Sequence, residues 1–226
     1  MSMPFYVSPE QMMKDRADYA RKGIARGRAL VAMQIADGIV IVAENPSTTL
    51  RKVSEIYDRI AFAGVGKYNE FDQLRVAGVR AAELRGYQYS RNDVDARSLA
   101  NQYAQVLGDV FSTMGPKPLE VELLVVEVSD VVANDRMFHI LYDGTLLEEK
   151  RFCVLGGDAE GISKRLEPTF NDNLDVAGAI SVAVAALTGP ERTLAASDLE
   201  IATLSRNGKR RAFTRVANDT VAIALR

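Results

Sequence analysis

Short turn signals, rather than helices, join the strand-like segments of this chain. Asp37-Gly38, Asp143-Gly144 and Asn207-Gly208 each stand between two apolar segments of strand length, and such dipeptides are typical of β-hairpins. Strands joined by hairpins run antiparallel, whereas a doubly wound parallel sheet needs a crossover helix after nearly every strand. The sequence therefore predicts antiparallel sheets.

Helical patterns occur in pairs between the blocks of strands. Apolar residues recur at helical spacing in residues 69–85 and 99–114, and again in 158–170 and 174–187. The predicted strands are 29–35, 38–43, 56–65, 121–128, 137–142, 145–155, 199–205 and 211–216, followed by a short apolar tail at 221–225. This order predicts one domain over residues 1–226, an α/β (α+β) fold in which helix pairs flank two antiparallel sheets in a four-layer α/β/β/α sandwich.

A further helix is predicted at the N-terminus, over about residues 10–22. Ser8 has the position of an N-cap, Pro9 that of the first helical residue, and Gln11 completes a capping box. The apolar stripe of this helix is narrow and consists of Met13, Ala17 and Ala20. Such a stripe is expected to bury little on its own chain, so it predicts a contact with another subunit.

Composition excludes several classes of protein. A net charge of −2 and a pI near 5.6 argue against nucleic acid as a partner. The longest apolar segment, residues 180–187, is far shorter than the roughly 20 residues of a membrane span. The first residues lack the pattern of a signal peptide, and a single cysteine fits a reducing compartment, so a cytoplasmic location is expected.

Lys52 is a cation that directly follows the polar segment 44–51 and begins a segment with the imperfect apolar alternation of an extended strand, just before the predicted strand 56–65. A lysine in this place usually marks a solvated strand end. The alternative is a charge with a function, and the neighbouring residues alone do not decide between the two.

His139, Cys153 and residues 156–161 are the other places where chemistry is conceivable. His139 alternates with apolar residues in a predicted strand, and its sequence neighbours offer no carboxylate or thiolate for a metal site, so a structural role is expected. Cys153 is predicted to lie in the core. Residues 156–161 superficially resemble a phosphate loop, but Asp158 and Glu160 would repel an anion.

Two charged clusters, Lys209-Arg210-Arg211 and Glu148-Glu149, are interpreted as solvated surface near hairpins. The sequence thus predicts neither a metal nor a cofactor.

Three long segments carry a resemblance to a known family: SPEQMMKDRADYARKGIARGRALVAM, VAENPSTTLRKVSEIYDRIAFAGVGKYNEFDQLR and RGYQYSRNDVDARSLANQYAQVLGDVF. In these segments the chain resembles the α subunits of the 20S proteasome, and among them most the actinobacterial type. The similarity is collinear over about residues 5–216. The resemblance implies the N-terminal-nucleophile hydrolase sandwich, with heptameric α rings stacked outside catalytic β rings and a substrate gate made by the α N-termini.

By this resemblance the chain lacks the catalytic residues of the fold. Catalysis there needs a nucleophile at the very N-terminus of the first strand, and the matching place reads Gly27-Arg28. The aspartate that assists the catalytic lysine is replaced by Glu44, the serine beside the nucleophile falls at Gly157, and only Lys52 remains. Ser2 precedes a proline and a helix cap rather than a strand, so we expect no catalytic residue in this chain.

The resemblance also implies sites for partners. In the family, the lysine matching Lys52 lies between adjacent α subunits and binds the C-terminal carboxylate of a ring-shaped AAA ATPase activator; Gly27 and Gly66 match the other positions of that site. The implied gate is the segment 1–9, with Phe5, Tyr6, Val7, Ser8 and Pro9. The implied ring contact is the helix 10–22, through Met13 and Ala17.

The sequence therefore predicts a non-catalytic α subunit of the 20S core particle. It would form homo-heptameric rings on proteasome β subunits, gate the entry of protein substrates and dock the ATPase. The alternative is a self-processing, threonine-type peptidase, which would need cleavage near residue 28. A stand-alone binding module is a third hypothesis, which the exposed surface left by such helices disfavours.

Overall fold

A computed structural model describes residues 8–206 and 209–225 of the chain. These residues form six α-helices and ten strands. The helices are α1 (Pro9–Ala25), α2 (Tyr68–Gln88), α3 (Ala96–Ser112), α4 (Ala159–Leu166), α5 (Val176–Thr188) and α6 (Asn218–Ala224). The strands are β1 (Leu30–Ile35), β2 (Gly38–Glu44), β3 (Val53–Tyr57), β4 (Ile60–Gly66), β5 (Val121–Glu127), β6 (Arg136–Ile140), β7 (Leu146–Glu149), β8 (Phe152–Leu155), β9 (Leu199–Ser205) and β10 (Phe213–Arg215).

The strands form two five-stranded antiparallel sheets. The first has the order β10-β9-β2-β1-β8 and the second the order β3-β4-β5-β6-β7. Ile35 pairs with Gly38 across the Asp37 turn, and Ile140 pairs with Leu146 across the turn at Asp143-Gly144. Two of the three predicted hairpins are thereby confirmed; in the third, β9 pairs with β10, while residues 207 and 208 lie outside the described part.

Alternating side chains divide the core into three layers of packing. In β2, Ile39 and Ile41 face the second sheet, whereas Val40 and Val42 face α4 and α5. Strand β4 does the same, because its alanines point between the sheets while Phe62 packs against α2 and α3. This alternation is the period of a pleated strand. The four-layer α/β/β/α sandwich of antiparallel sheets is confirmed.

Two predicted strands are wrong in a way that matters for the site. Residues 56–65 are not one strand, because the chain turns at Asp58-Arg59 and forms the β3–β4 hairpin, which starts at Val53. Residues 145–155 are also divided, since β7 belongs to the second sheet and β8 to the first. Neither turn has a glycine or proline to mark it, so the periodicity alone ran the strands together.

The chain ends differ from the sequence expectation as well. The apolar residues 221–225 belong to a helical turn, α6, which packs on α5 through the buried Val221. Helix α1 buries Ala20 and Ile24 in the core between the sheets. None of the described helices combines the length and apolar character needed to cross a membrane.

Candidate functional site

The three residues predicted to bind an activator tail lie together at one end of the sandwich. Gly27 precedes β1, Lys52 precedes β3 and Gly66 ends β4, so the group connects both sheets. A Cβ atom built on Gly27 would lie 3.3 Å from the backbone nitrogen of Gly66. Nζ of Lys52 donates a hydrogen bond of 2.6 Å to the carbonyl oxygen of Arg28. The fold therefore juxtaposes a cation and two residues without side chains.

The two glycines differ in what holds them. Gly66 has φ +100°, and a Cβ there would overlap the carbonyl oxygen of Glu120, so the position requires glycine. Gly27 has no such conformation, and its added Cβ would meet the carbonyl oxygen of Ile24 at 3.0 Å. Gly66 is thus set by the fold, whereas an alanine at Gly27 demands only a small local shift.

Lys52 is a partly buried cation whose charge depends on its surroundings. Burial lowers its pKa from 10.5 to about 8; Glu44 and Glu200 oppose this shift, while Arg28 adds to it. Desolvation is the largest cause, since the ammonium loses water on entering the sandwich edge. With a pKa of about 8, roughly nine-tenths of the lysine is charged at pH 7. One of its three donors is used by Arg28, which leaves two for an acceptor.

Glu200, in the centre of this site, was missed by the sequence reasoning. Its carboxylate is buried and accepts hydrogen bonds from the Lys52 backbone nitrogen at 2.8 Å and from Asn45 at 2.8 Å. It also accepts from Arg215 at 2.6 Å and from the Val53 nitrogen at 3.4 Å. The available signal was an acidic residue inside the apolar strand β9. Glu200 fixes the start of β3 and therefore the position of Lys52.

Glu44, at the position that matches a catalytic aspartate, is bound to arginines. Its buried carboxylate accepts from Nη2 of Arg192 at 3.1 Å and lies 3.6 Å from Nη1 of Arg28. An acid held in two ion pairs acts as a structural anchor. The lysine, for its part, donates its side-chain hydrogen bond to a backbone carbonyl.

The place where a nucleophile would stand is continuous backbone. Helix α1 runs to Ala25, and the Gly27 nitrogen donates to the Ile24 carbonyl at 2.9 Å directly before β1. The next residue, Arg28, has neither a hydroxyl nor a thiol. Gly157, at the matching serine position, has φ +55° and lies near Ala29.

The contacts of α1 correct one premise of the sequence analysis. The C-terminal half of the helix does fold on its own chain, because Ala20 and Ile24 are buried between the sheets. Arg16 adds hydrogen bonds to carbonyls in the last turn of α3, with distances of 2.9 Å to both Phe111 and Val110. The prediction had omitted Ile24 from the stripe. Met13 and Ala17 are half-buried, and their role as a ring contact stays a prediction.

Comparison with known sequences identifies the family to which this site belongs. The statistical model of the family described as proteasome subunit matches residues 24–203, well over half of the chain. The chain belongs to the proteasome subunit family. Many of its relatives are actinobacterial proteins named proteasome subunit alpha.

Three of these proteasome relatives illustrate the similarity. The protein of Acidimicrobium ferrooxidans is 58% identical, with 100% of this chain and 97% of the relative covered. That of a Nocardioides species is 56% identical, with coverages of 91% and 82%. That of Acidothermus cellulolyticus is 54% identical, with coverages of 95% and 94%. The resemblance seen in the sequence is thereby confirmed.

The residues predicted to form the gate are only partly described. Phe5, Tyr6 and Val7 lie outside the described residues. Ser8 is the N-cap of α1 and accepts a hydrogen bond of 3.2 Å from the Gln11 nitrogen, and Pro9 is the first helical residue. The N-cap and the first residue of α1 are thus as expected, whereas the Gln11 side chain donates to Asp15 at 2.7 Å instead of completing a capping box. The gate itself stays a prediction.

The other charged motifs of this proteasome subunit are surface features. In residues 156–161, Asp158 caps α4 by accepting from the Gly161 nitrogen at 3.1 Å, which fills the helix start that a phosphate would need. In the cluster 209–211, all three residues are exposed, and Arg211 pairs with Glu55 at 2.7 Å. Both interpretations agree with the structure.

The expectation that His139 has no potential metal-binding partners is wrong. A carboxylate oxygen of Glu149 and the sulfur of Cys153 lie with a His139 ring nitrogen in a group whose atoms are all within 4.8 Å of one another. Glu149, predicted to be solvated, is half-buried, and of the pair 148–149 only Glu148 is exposed. Burial, with the charges of Glu149 and Glu122, raises the pKa of the Cys153 thiol well above its usual value. Strand pairing, invisible to local spacing, brings these residues together.

Proposed function

We propose that this chain is a non-catalytic α subunit of the 20S proteasome that docks a ring-shaped ATPase through Lys52. In this proposal it forms heptameric outer rings on β subunits in the cytoplasm and gates the entry of protein substrates. The observation that carries the docking role is the juxtaposition of a partly buried lysine with two glycines at one edge of the sandwich. The name of the relatives supports the assembly with β subunits.

The chemistry of Lys52 suits a terminal carboxylate. Its ammonium is compact, keeps two free donors and is held by the Arg28 carbonyl, so little side-chain entropy remains to be lost on binding. Partial burial strengthens an ion pair beyond the roughly 0–1 kcal/mol of an exposed one. Gly27 and Gly66 lie close together beside it and carry no side chain that would obstruct a peptide tail.

The surroundings of Arg28 support the absence of peptidase activity. Helix α1 leads directly into β1, so the first strand has no free α-amine, and Glu44 is held by arginines. In this proposal the proteolytic nucleophile belongs to the β subunits. The α chain forms the outer ring and controls the access of protein substrates to that nucleophile.

Substitution of Lys52 tests the docking role in the assembled particle. The particle is made from this chain and the β subunit of the same organism, and peptide hydrolysis is measured with and without a synthetic peptide matching the ATPase C-terminus. Lys52→Ala should leave assembly and basal hydrolysis unchanged and remove the stimulation. Lys164→Ala, which changes an exposed lysine paired with Glu160 on α4, is the matched control and should behave as the parent.

Unchanged tail affinity in Lys52→Ala across a salt titration would place the docking site elsewhere. If Lys52→Ala and Lys164→Ala lose the stimulation equally, the effect comes from the general surface charge and not from a site at Lys52.

A further inference from the structure

Three potential metal ligands converge at the edge of the space between the two sheets. His139 lies in β6, Glu149 ends β7, and Cys153 lies in β8. One ligand atom from each lies within 4.8 Å of the others, and this is the one such group among residues 8–206 and 209–225. The group contains a nitrogen, an oxygen and a sulfur donor and lies apart from the Lys52 site.

Strand register explains why these side chains meet. Met137 pairs with Glu149 and His139 pairs with Leu147, so His139 and Glu149 share one face of the β6–β7 pair. Met137 lies in the core between the sheets, which shows that this face points inward. Cys153 reaches the same core from the other sheet. The cluster therefore spans both sheets at the point where β7 and β8 are edge strands.

One ring nitrogen of His139 is buried without a hydrogen-bond partner among the described residues. Nε2 of His139 is buried and makes no hydrogen bond to any described residue. A carboxylate oxygen of Glu122 lies 3.5 Å from it, without hydrogen-bond geometry. The two side chains are only 12% and 17% exposed. A buried ring nitrogen without a partner is costly, and a bound cation would satisfy it.

We propose that His139, Glu149 and Cys153 bind a zinc ion, with Glu122 as the fourth ligand. Imidazole, thiolate and carboxylate are all zinc ligands, and the thiolate disfavours magnesium and calcium, which take oxygen ligands. Two carboxylates and a thiolate would together bring three negative charges into a confined space, and a dication offsets most of them. Four protein ligands leave no open position, so the site is structural.

The geometry requires only a modest contraction. Ligand atoms around a tetrahedral zinc lie about 3.4–3.6 Å apart when the bonds are about 2.0–2.3 Å long. The largest separation in the group is within 4.8 Å, and Glu122 already lies 3.5 Å from His139. Side-chain rotation of roughly 1 Å brings these three ligand atoms to the spacing around zinc, and Glu122, which lies outside the 4.8 Å group, must turn further toward it. The ion would tie β7 to β8 and so connect the free edges of the two sheets.

Metal titration of the full chain, without an affinity tag and after chelator treatment, tests the site. We expect one zinc per chain by calorimetry and elemental analysis, and a rise in Tm with zinc. Cobalt(II) in place of zinc should show a thiolate-to-cobalt charge-transfer band. His139→Gln and Cys153→Ala should each weaken zinc binding by more than about 100-fold, since loss of an outer-shell partner alone costs about 10- to 100-fold. Cys153→Ala should also lose the charge-transfer band.

Two adjacent glutamates give a matched comparison. Glu149→Gln removes an inward ligand, whereas Glu148→Gln changes its exposed neighbour on the opposite face of β7. Only Glu149→Gln should weaken zinc binding. If the unmodified chain binds no zinc, if cobalt gives no charge-transfer band, or if the two glutamine variants lose zinc equally, the proposal is wrong and His139 has only its contact with Glu122. The metal content of the unmodified chain decides this even where a variant does not fold.

Discussion

Replacing Glu200 with glutamine tests whether the buried carboxylate holds the Lys52 site in place. The side chain is 3% exposed and receives four donors, two on each carboxylate oxygen. Oε2 receives Asn45 and the Lys52 nitrogen, while Oε1 receives Arg215 and the Val53 nitrogen. In glutamine one of these oxygens becomes an NH₂ group. Whichever way the amide turns, at least two donors then face a donor.

The cost follows from these bonds. Two hydrogen bonds to a charged acceptor contribute about 1.5–3 kcal/mol each, which gives about 3–6 kcal/mol. The amide can choose the cheaper orientation, and Arg215 is 38% exposed, so water recovers part of its loss. We therefore expect a loss of about 3–4 kcal/mol, near the lower end of the roughly 3–5 kcal/mol for breaking a buried pair. In a chain of this size that lowers Tm by about 6–16 °C.

Thermal unfolding of the purified chain, followed by circular dichroism, measures this shift. Glu191→Gln is the control, because Glu191 is exposed, and its effect should stay within about 0.5 kcal/mol. Glu200→Gln should also weaken binding of the ATPase tail peptide, since the start of β3 loosens. A Tm within about 2 °C of the parent would refute the reasoning, because the hydrogen bonds to the Glu200 carboxylate would then add little to stability.

Three further predictions concern the predicted docking site and the predicted gate. Gly66→Ala should destabilise the chain by about 1–3 kcal/mol or more, because its φ of +100° is strained for alanine. Gly27→Ala should instead keep Tm within a few degrees and weaken binding of the tail peptide. A lower Tm for Gly27→Ala than for Gly66→Ala would contradict the geometry. Tail binding needs the charged form of Lys52, whose pKa is about 8, so the affinity for the tail peptide should fall about tenfold from pH 7 to pH 9. This fall should vanish in Lys52→Arg. If the affinity of the unmodified chain does not depend on pH, Lys52 does not bind the tail. Deleting residues 2–8 should accelerate hydrolysis of unfolded proteins by the particle but not of tripeptides, and unchanged protein hydrolysis would argue against the gate.

The sequence predicted the layers of the fold because hairpin turns and helical periodicity are local signals. Asp37-Gly38 and Asp143-Gly144 each join antiparallel strands as expected. The turn at Asp58-Arg59 carries no glycine or proline, and the apolar residues on both sides are compatible with one strand. The division of 145–155 between two sheets is a long-range event that no local pattern encodes.

The candidate site was predicted only in part, for the same reason. Lys52, Gly27 and Gly66 came from the family resemblance, and the structure brings them together. Glu200 contacts the site from 148 residues away, so only an acid within an apolar strand pointed to it. Likewise His139 obtains Glu149 and Cys153 through strand pairing and a sheet crossover. Ile24, one turn beyond Ala20, is absent from the predicted stripe because the predicted helix ends near residue 22, whereas α1 continues to Ala25.

The most direct test of the central claim is peptide hydrolysis by a particle whose β subunits have lost their N-terminal threonine through substitution by alanine. This particle is assembled with the unmodified α chain and compared with one containing active β subunits. We predict that both particles assemble, that only the second hydrolyses fluorogenic peptides, and that the first stays at background with or without the ATPase tail peptide. Hydrolysis by the first particle, or recovery of an α chain that begins near residue 28, would contradict the assignment of this chain as a non-catalytic α subunit.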